Sequence, residues 1–427
     1  MYRQYLKQAW ASLRENPLMS VLMVMGTTLS AAMLLVLVQF YIVRTSAYAP
    51  VSARGQMLYV TGVQADKMKI EADGRRVQTG ARWMDGLGVP FTRQVFEELK
   101  TVDGVAVMSG SVQQSRLTSP GRKASGEYQL RQTNDGFWRV FDFTFVAGKP
   151  YDEATYRSAL REAVLTEEVA RELFGTVDVI GETLQIEYVE YRVCGVVKSV
   201  SEAVSETYGQ VFVPYSCDEV MMATVNADGI CGNLNVCLLA ASPADFPAIR
   251  EEVAQNVKRY NANAPEWEAG LFAQPHTATQ RMFKRWHDEE MGALFTGMIS
   301  LALLFFFLPV FNMLGLAFSQ IRRRQPEIGL RKAFGATSSR VVGQMLCESL
   351  LVTAIGCVLG QCFSVLFFFL AKDGLLERTD VLLTADMLFT PWLLPVAFLI
   401  CLFINFLSIG IPAWRVARRQ IVEALNA

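Results

Sequence analysis

The sequence predicts an α-helical membrane protein: four transmembrane helices, with a mixed α+β extracytoplasmic domain between the first and second. Three observations carry this. Four runs without a charged residue, 18–43, 291–321, 349–371 and 387–414, each exceed the roughly 20 residues that cross about 30 Å of hydrocarbon. Residues 44–290 have an ordinary soluble composition and enough chain to bury a core of their own. Lys and Arg concentrate beside alternate span ends, which orients the chain.

In chain order, residues 1–17 read as a cytoplasmic amphipathic helix, with Tyr2, Tyr5, Leu6, Ala9, Trp10 and Leu13 at helical spacing and Arg3, Lys7 and Arg14 off that stripe. Transmembrane helix 1 covers 18–43. It is too long for a signal-peptide core and has no small-residue cleavage pattern, so it reads as an uncleaved anchor. It contains the small residues Gly26, Thr27, Thr28, Ser30, Ala31 and Ala32, which let membrane helices approach closely, so the span is expected to pack against protein as well as lipid.

The extracytoplasmic domain covers 44–290. Strands are expected at Gln56–Val63, Val105–Val107, Leu184–Val189 and Tyr191–Val197. Helices are expected at Thr92–Leu99 with Thr92 as N-cap, from Thr166 to Gly175, and at Ala244–Tyr260. The mixture places the domain in the α+β class. The stretch TATQRMFKRWHDEEM holds neither Pro nor Gly. It is expected to run on into the second span as a stalk helix.

Transmembrane helix 2 is 291–319. Residues 320–340 form a cytoplasmic loop with six basic residues (Arg322, Arg323, Arg324, Arg331, Lys332, Arg340) against one acid, Glu327. Transmembrane helix 3 (341–371) carries Gly356-x-x-x-Gly360, a small-residue spacing of low specificity for helix pairing, and Glu348 as a membrane-edge acid. An extracytoplasmic loop (372–386), transmembrane helix 4 (387–412) and a basic cytoplasmic tail (413–427) complete the chain, so both termini are expected inside. The spans contain no second charge to pair with Glu348, which argues against a proton-coupled carrier.

The chemistry that is missing narrows the function. Within these 427 residues there is no GxxxxGKS/T, HExxH or GxSxG pattern and no CxxC pair. No catalysis is expected of the chain, and no metal or other cofactor. The net charge of -1 gives no nucleic-acid signature. Cys194, Cys217, Cys231 and Cys237 fall in the extracytoplasmic region. An oxidising compartment permits two disulfides among them, with connectivity open.

The segment QIRRRQPEIGLRKAFGATSSRVVGQMLCES and the segments GFWRVFDFTFVAGKP, EAVLTEEVARELFG, VIGETLQI and YRVCGVVKSV resemble those of the MacB/FtsX family, the permease subunits of ABC systems acting on the extracytoplasmic side. The span order and the ending Pro412 to Leu425 fit the same plan. Pro326 before Glu327 departs from the family's uninterrupted run. The resemblance implies a bacterial inner-membrane permease that couples a separate cytoplasmic ATPase, which binds the ATP, to movement of the outer domain. Glu327, Ile328, Gly329, Leu330, Arg331, Lys332, Phe334, Gly335 and Ala336 would form the ATPase-coupling segment. The residues support this separately, because Ile328, Leu330 and Phe334 beyond the bilayer need an apolar groove, whereas anionic lipid explains only the basic residues. The implied partners are ABC ATPase subunits, a second permease copy or paralogue, membrane lipid, and a periplasmic adaptor with an outer-membrane channel. The implied tasks are export of a periplasmic substrate or lipoprotein release. The rivals are an FtsX-like module that activates a cell-wall hydrolase without transport, and a sensor outside the ABC systems.

Overall fold

The computed structural model describes residues 17–45, 49–72, 75–119, 124–200, 204–223, 226–264, 266–284, 337–375 and 393–405, with a few isolated positions besides. The chain divides into a helical unit, Met1–Arg44 with Asp288–Ala427, and a large domain, Thr45–His287.

In the helical unit, α1 spans Pro17–Thr45. Of the large domain, β1 is Met57–Val60, β2 Val63–Ile70 and β3 Arg76–Leu87. They are followed by α2 (Val89–Thr92), β4 (Gly104–Ser109), β5 (Gln113–Thr118) and β6 (Ser125–Thr133). Next come α3 (Phe137–Val140), β7 (Phe145–Gly148), α4 (Glu153–Arg157), β8 (Glu162–Thr166), α5 (Glu167–Phe174), β9 (Thr183–Ile186) and β10 (Val189–Val197). The domain closes with β11 (Val211–Pro214), α6 (Glu219–Ala223), β12 (Cys231–Gly232), β13 (Leu234–Leu239), α7 (Phe246–Asn263), β14 (Trp267–Gly270) and α8 (Ala278–Lys284). In the helical unit again, α9 is Ser338–Leu375 and α10 Leu393–Asn405.

The strands join in the order β11-β8-β10-β9-β5-β6-β4-β13-β3-β2-β14, with β1 on β13. Most pairs are antiparallel. β8 and β10 run parallel, and the chain between them carries α5, the helical crossover that parallel neighbours require. Two apolar cores flank the sheet. One packs α7 through Ile249 and Val253 against β1, β3 and β13. The other packs α5 through Val169, Ala170 and Leu173 against β6, β8 and β10. A third core joins them and is largely aromatic. Phe137 is fully buried there, with the rings of Trp138, Phe141, Phe143 and Phe212 at 5.2, 4.9, 5.4 and 5.9 Å from its own.

Several expected elements shift for local reasons. Gln56–Val63 splits at Thr61-Gly62 into β1 and β2. The helix expected from Thr92 begins earlier, at Val89, with Pro90 in its first turn. Thr92 is therefore not its cap but donates its hydroxyl back to Gly88 O at 2.8 Å. Arg93–Glu97 continue as a wider π turn. Thr166 does stand at the N-cap of α5 without a side-chain capping bond, and Gly175 closes that helix at φ +76°, where a side chain is disfavoured. The four cysteines of the large domain are free. Cys194 and Cys217 donate instead to Ala163 O and Leu160 O, and burial pushes Cys194 up to about 12 and Cys231 to about 11.

Among the described residues, one helix is long and apolar enough to cross a membrane, Leu346–Phe367, with mean hydropathy 2.2; Ser20–Val36 and Leu394–Phe403 are shorter apolar stretches. The Gly356/Gly360 spacing receives α1 of the same chain. A Cβ on Gly356 would lie 2.6 Å from the Thr27 Cβ, and one on Gly360 2.7 Å from the Ala31 Cβ. The small-residue face of α1 and the glycines of α9 are thus two sides of one seam, and Cys401 of α10 packs beside it with Cys357. Thr27 and Thr353 return their hydroxyls to the carbonyls of Met23 and Ser349, both at 2.8 Å, as an apolar surrounding demands.

Candidate functional site

The coupling segment expected at Glu327–Ala336 lies outside the described residues, as do the second span, the N-terminal arm, the expected stalk beyond Lys284 and the basic tail. Glu348 is described. It stands near the start of the apolar stretch of α9, half-buried, with its Oε1 shielded from solvent. The described residues place a different set of side chains together, where the chain enters and leaves the large domain.

The entry lead follows α1. Its Pro50 carbonyl accepts from Asp142 N at 2.8 Å, Ser52 donates its hydroxyl to Asp142, and Val51 is fully buried. A short turn, Arg54–Gln56, then delivers the chain into β1, all four residues of which are buried. The exit lead lies along the same strand. His276 and Tyr59 exchange both backbone hydrogen bonds, at 2.8 and 2.9 Å. Just before, the Gln274 side chain accepts from Thr61 N at 2.8 Å and donates to Gly62 O at 2.9 Å. Arg250 on α7 holds the same lead from outside, donating to Pro275 O and to Gln280 Oε1, each at 3.0 Å.

Thr277 and Gln280 then cap α8 reciprocally: Gln280 N donates to Thr277 Oγ1 at 3.2 Å, and Thr277 N to Gln280 Oε1 at 3.1 Å. One turn on, Arg281 stacks over the Tyr59 ring, 4.7 Å from its centre, and pairs with Glu206. The other carboxylate oxygen of Glu206 meets Arg54 Nη2 of the entry lead at 3.5 Å. The side chains of Arg54 and Glu206 are only 5% and 6% exposed. One buried carboxylate therefore touches a guanidinium from each lead. Burial pushes the Tyr59 hydroxyl well above its usual range, assisted by Cys237 and opposed by Arg54 and Arg281. It stays neutral, and the Arg281 cation rests on an aromatic face.

Glu206 is itself held from behind. Arg131 of β6 donates to Tyr208 O, to Ser205 O at 2.8 Å and to Ser109 O at 2.9 Å. Two of those carbonyls flank Glu206, and the third ends β4. Sequence reasoning singled out none of these four charged residues. Glu206 sits in the polar stretch SVSEAVSETYG and Arg281 in the charged helix read as a stalk, and neither pattern marks a buried charge.

Residues 20–256 match the family model of the MacB-like periplasmic core domain, and residues 299–421 match that of the FtsX-like permease C-terminal region. The chain is 22% identical over 270 residues to the uncharacterized ABC transporter permease YknZ of Bacillus subtilis, covering 63% of this chain and 64% of that protein. It is 24% identical over 275 residues to the pyoverdine export ATP-binding/permease protein PvdT of Pseudomonas fluorescens, covering 62% and 40%. It is 22% identical over 285 residues to the macrolide export ATP-binding/permease protein MacB of Bdellovibrio bacteriovorus, covering 64% and 43%. The matched stretch spans less than two thirds of each of these curated relatives. Among solved structures, the extracellular domain of YknZ from Gram-positive bacteria aligns with 49% of this chain and 99% of its own at TM-score 0.33 and 14% identity. The periplasmic region of MacB from Actinobacillus actinomycetemcomitans aligns with 49% of this chain and 88% of its own at TM-score 0.33 and 12% identity.

Proposed function

Because the chain belongs to the MacB/FtsX family, with a MacB-like periplasmic core domain and an FtsX-like permease C-terminal region, we propose that it is an ABC transporter permease that transmits the work of a separate cytoplasmic ATPase to its large domain. In this reading the domain lies outside the cytoplasm between the first and second of four spans, and both termini lie inside. The segment Glu327-Ile328-Gly329-Leu330-Arg331-Lys332, with Phe334, Gly335 and Ala336, docks on the ATPase. The permease works as a dimer with a second copy or a paralogue. The task is export of a periplasmic substrate, or release of a lipoprotein, with an adaptor and an outer-membrane channel as further partners.

One observation carries the mechanical part. Both leads of the large domain are fastened to one buried strand, β1, by the His276–Tyr59 backbone pair on one side and by direct continuation from Arg54 on the other. β1 in turn pairs along its whole length with β13, from Met57–Leu239 to Val60–Val236. A displacement of either lead is therefore delivered to the centre of the sheet and not to a loop.

The test is co-purification of the full chain with candidate ABC ATPases from the same cell, and measurement of ATP turnover in lipid. Wild-type chain should bind one of them and change its turnover. Glu327→Lys and Gly335→Trp should each weaken both. A chain that binds no ATPase removes the ABC reading, and wild-type behaviour in both variants removes the assignment of the docking segment. An adjacent cell-wall hydrolase activated by the large domain, with no substrate moved, would favour the FtsX-like regulatory alternative.

A further inference from the structure

We infer that Glu206 is the residue that keeps the entry and exit leads of the large domain in register with one another, and that Arg131 positions it for this. The inference rests on the reading above, in which the domain is worked through its leads. It assigns that coupling to one carboxylate.

A buried ion cluster is a poor device for stability alone, because well-packed apolar residues of similar volume often do as well or better. It gives direction instead. A carboxylate has two oxygens at fixed geometry, and here each oxygen takes a guanidinium from a different lead, Oε2 from Arg54 and Oε1 from Arg281. Sliding one lead along the other by a single residue would strand a charge with 6% exposure. The backbone pair between His276 and Tyr59 has no such discrimination, since any residue can make it. The Gln274 amide, which bonds Thr61 N and Gly62 O, adds a neutral side-chain contact between the leads, and Glu206 supplies the charge-specific register.

Glu206 could not do this from a loose loop. The segment around it turns on itself, with Thr207 N and Tyr208 N both donating to Val204 O at 3.1 Å. The buried Arg131 guanidinium then ties the carbonyls on either side of Glu206 to the carbonyl of Ser109. Ser109 ends β4 and Arg131 lies in β6, the strands that connect the two apolar cores. The chain of contacts thus runs from both leads through Glu206 and Arg131 into the middle of the sheet. Arg131 is a positioning residue that acts through the carbonyls on either side of Glu206.

Amide hydrogen exchange on the full chain in lipid nanodiscs tests this without any ATPase. The isosteric Glu206→Gln keeps the volume and removes the charge. It should raise exchange at least tenfold in both lead segments, 54–61 and 271–282, while β8 and α5 keep wild-type protection. Arg131→Met, which leaves both lead guanidiniums in place, should loosen 204–210 and both leads together. Arg281→Met should loosen the exit lead, and adding it to Glu206→Gln should produce little further change. Exchange that rises in one lead only, or only within 204–210, overturns the inference. So does a uniform rise that includes β8 and α5, since Glu206 would then merely stabilise the fold. The two readings fail separately. A chain that binds no ATPase can still give the exchange pattern, and a chain that stimulates its ATPase with unchanged exchange in Glu206→Gln sinks the triad alone. Where both hold, Glu206→Gln should still bind the ATPase but lose most of the change in turnover.

Discussion

The large domain and the helical unit are packed by opposite means. The domain fills its centre with big rings: Phe137 alone meets four aromatic neighbours within 6 Å, and burying such surface away from water is the main favourable term. The helical unit does the reverse along its seam. Gly356 and Gly360 remove side chains so that the backbone of α9 can reach Thr27, Thr28, Ala31 and Ala32. In a lipid surrounding an apolar side chain gains nothing by meeting another, so close contact and satisfied backbone groups decide. The difference teaches that volume is the currency on one side and its absence on the other.

The most forceful way to break this comparison is to remove volume where it counts. Phe137→Ala should cost the large domain about 3–5 kcal/mol, read as a lower unfolding midpoint in denaturant for the full chain in detergent. The α1–α9 seam, followed by cross-linking cysteines placed across it, should be unaffected. An equal loss in both units would mean that they do not unfold separately.

Adding volume should do the converse. Gly360→Leu forces side-chain atoms into the space of Ala31 and Thr28 and should cost about 1–3 kcal/mol, as overpacking does. Thermal unfolding in detergent, with cross-linking across the seam as the local readout, would register it. A Gly360→Leu chain with wild-type stability and an intact seam would remove the close-approach account.

The smallest effect concerns charge within the large domain. Burial alone would raise the Glu252 carboxyl, but the Thr101 hydroxyl and the Lys100 and Thr101 amides outweigh it and hold it below its usual 4.5. A depressed carboxyl contributes stability above its unfolded value, and that contribution disappears as pH falls through the folded one. Glu252→Gln should therefore lower stability slightly at neutral pH and make the acid loss below about pH 4.5 shallower. The contact of Gly356 and Gly360 with Thr27 and Ala31, which involves no carboxylate, should show no change over that range. An unchanged acid profile would show that the Glu252 bonds carry no linkage.

Much of the local structure was legible because it is encoded locally. Apolar runs gave α1, α9 and α10, and turn chemistry gave Gly175. The break between β9 and β10 was expected at Glu190 but stands at Glu187-Tyr188, both at positive φ. The ends of α2 were misread because Thr92 looks like a cap, while Pro90 sets the start. The candidate site was not legible at all. Arg54, Arg131, Glu206 and Arg281 are separated by 75 residues or more along the chain. What makes each of them more than a surface charge is burial by strands that pair at long range. The glycine pair was visible as a pattern, but its partner was not, since the same spacing serves a neighbouring helix or another copy.

The seam also imposes a timetable on synthesis. Thr27 and Ala31 leave the ribosome long before Gly356 and Gly360, with the whole large domain made in between. At about 5–20 residues per second the delay is on the order of tens of seconds. For that time the small-residue face of α1 has no mate within its own chain. Until α9 arrives, α1 must be sheltered by lipid, by the insertion machinery or by a borrowed helix from a neighbour, and the nascent permease is most open to mispairing during that interval.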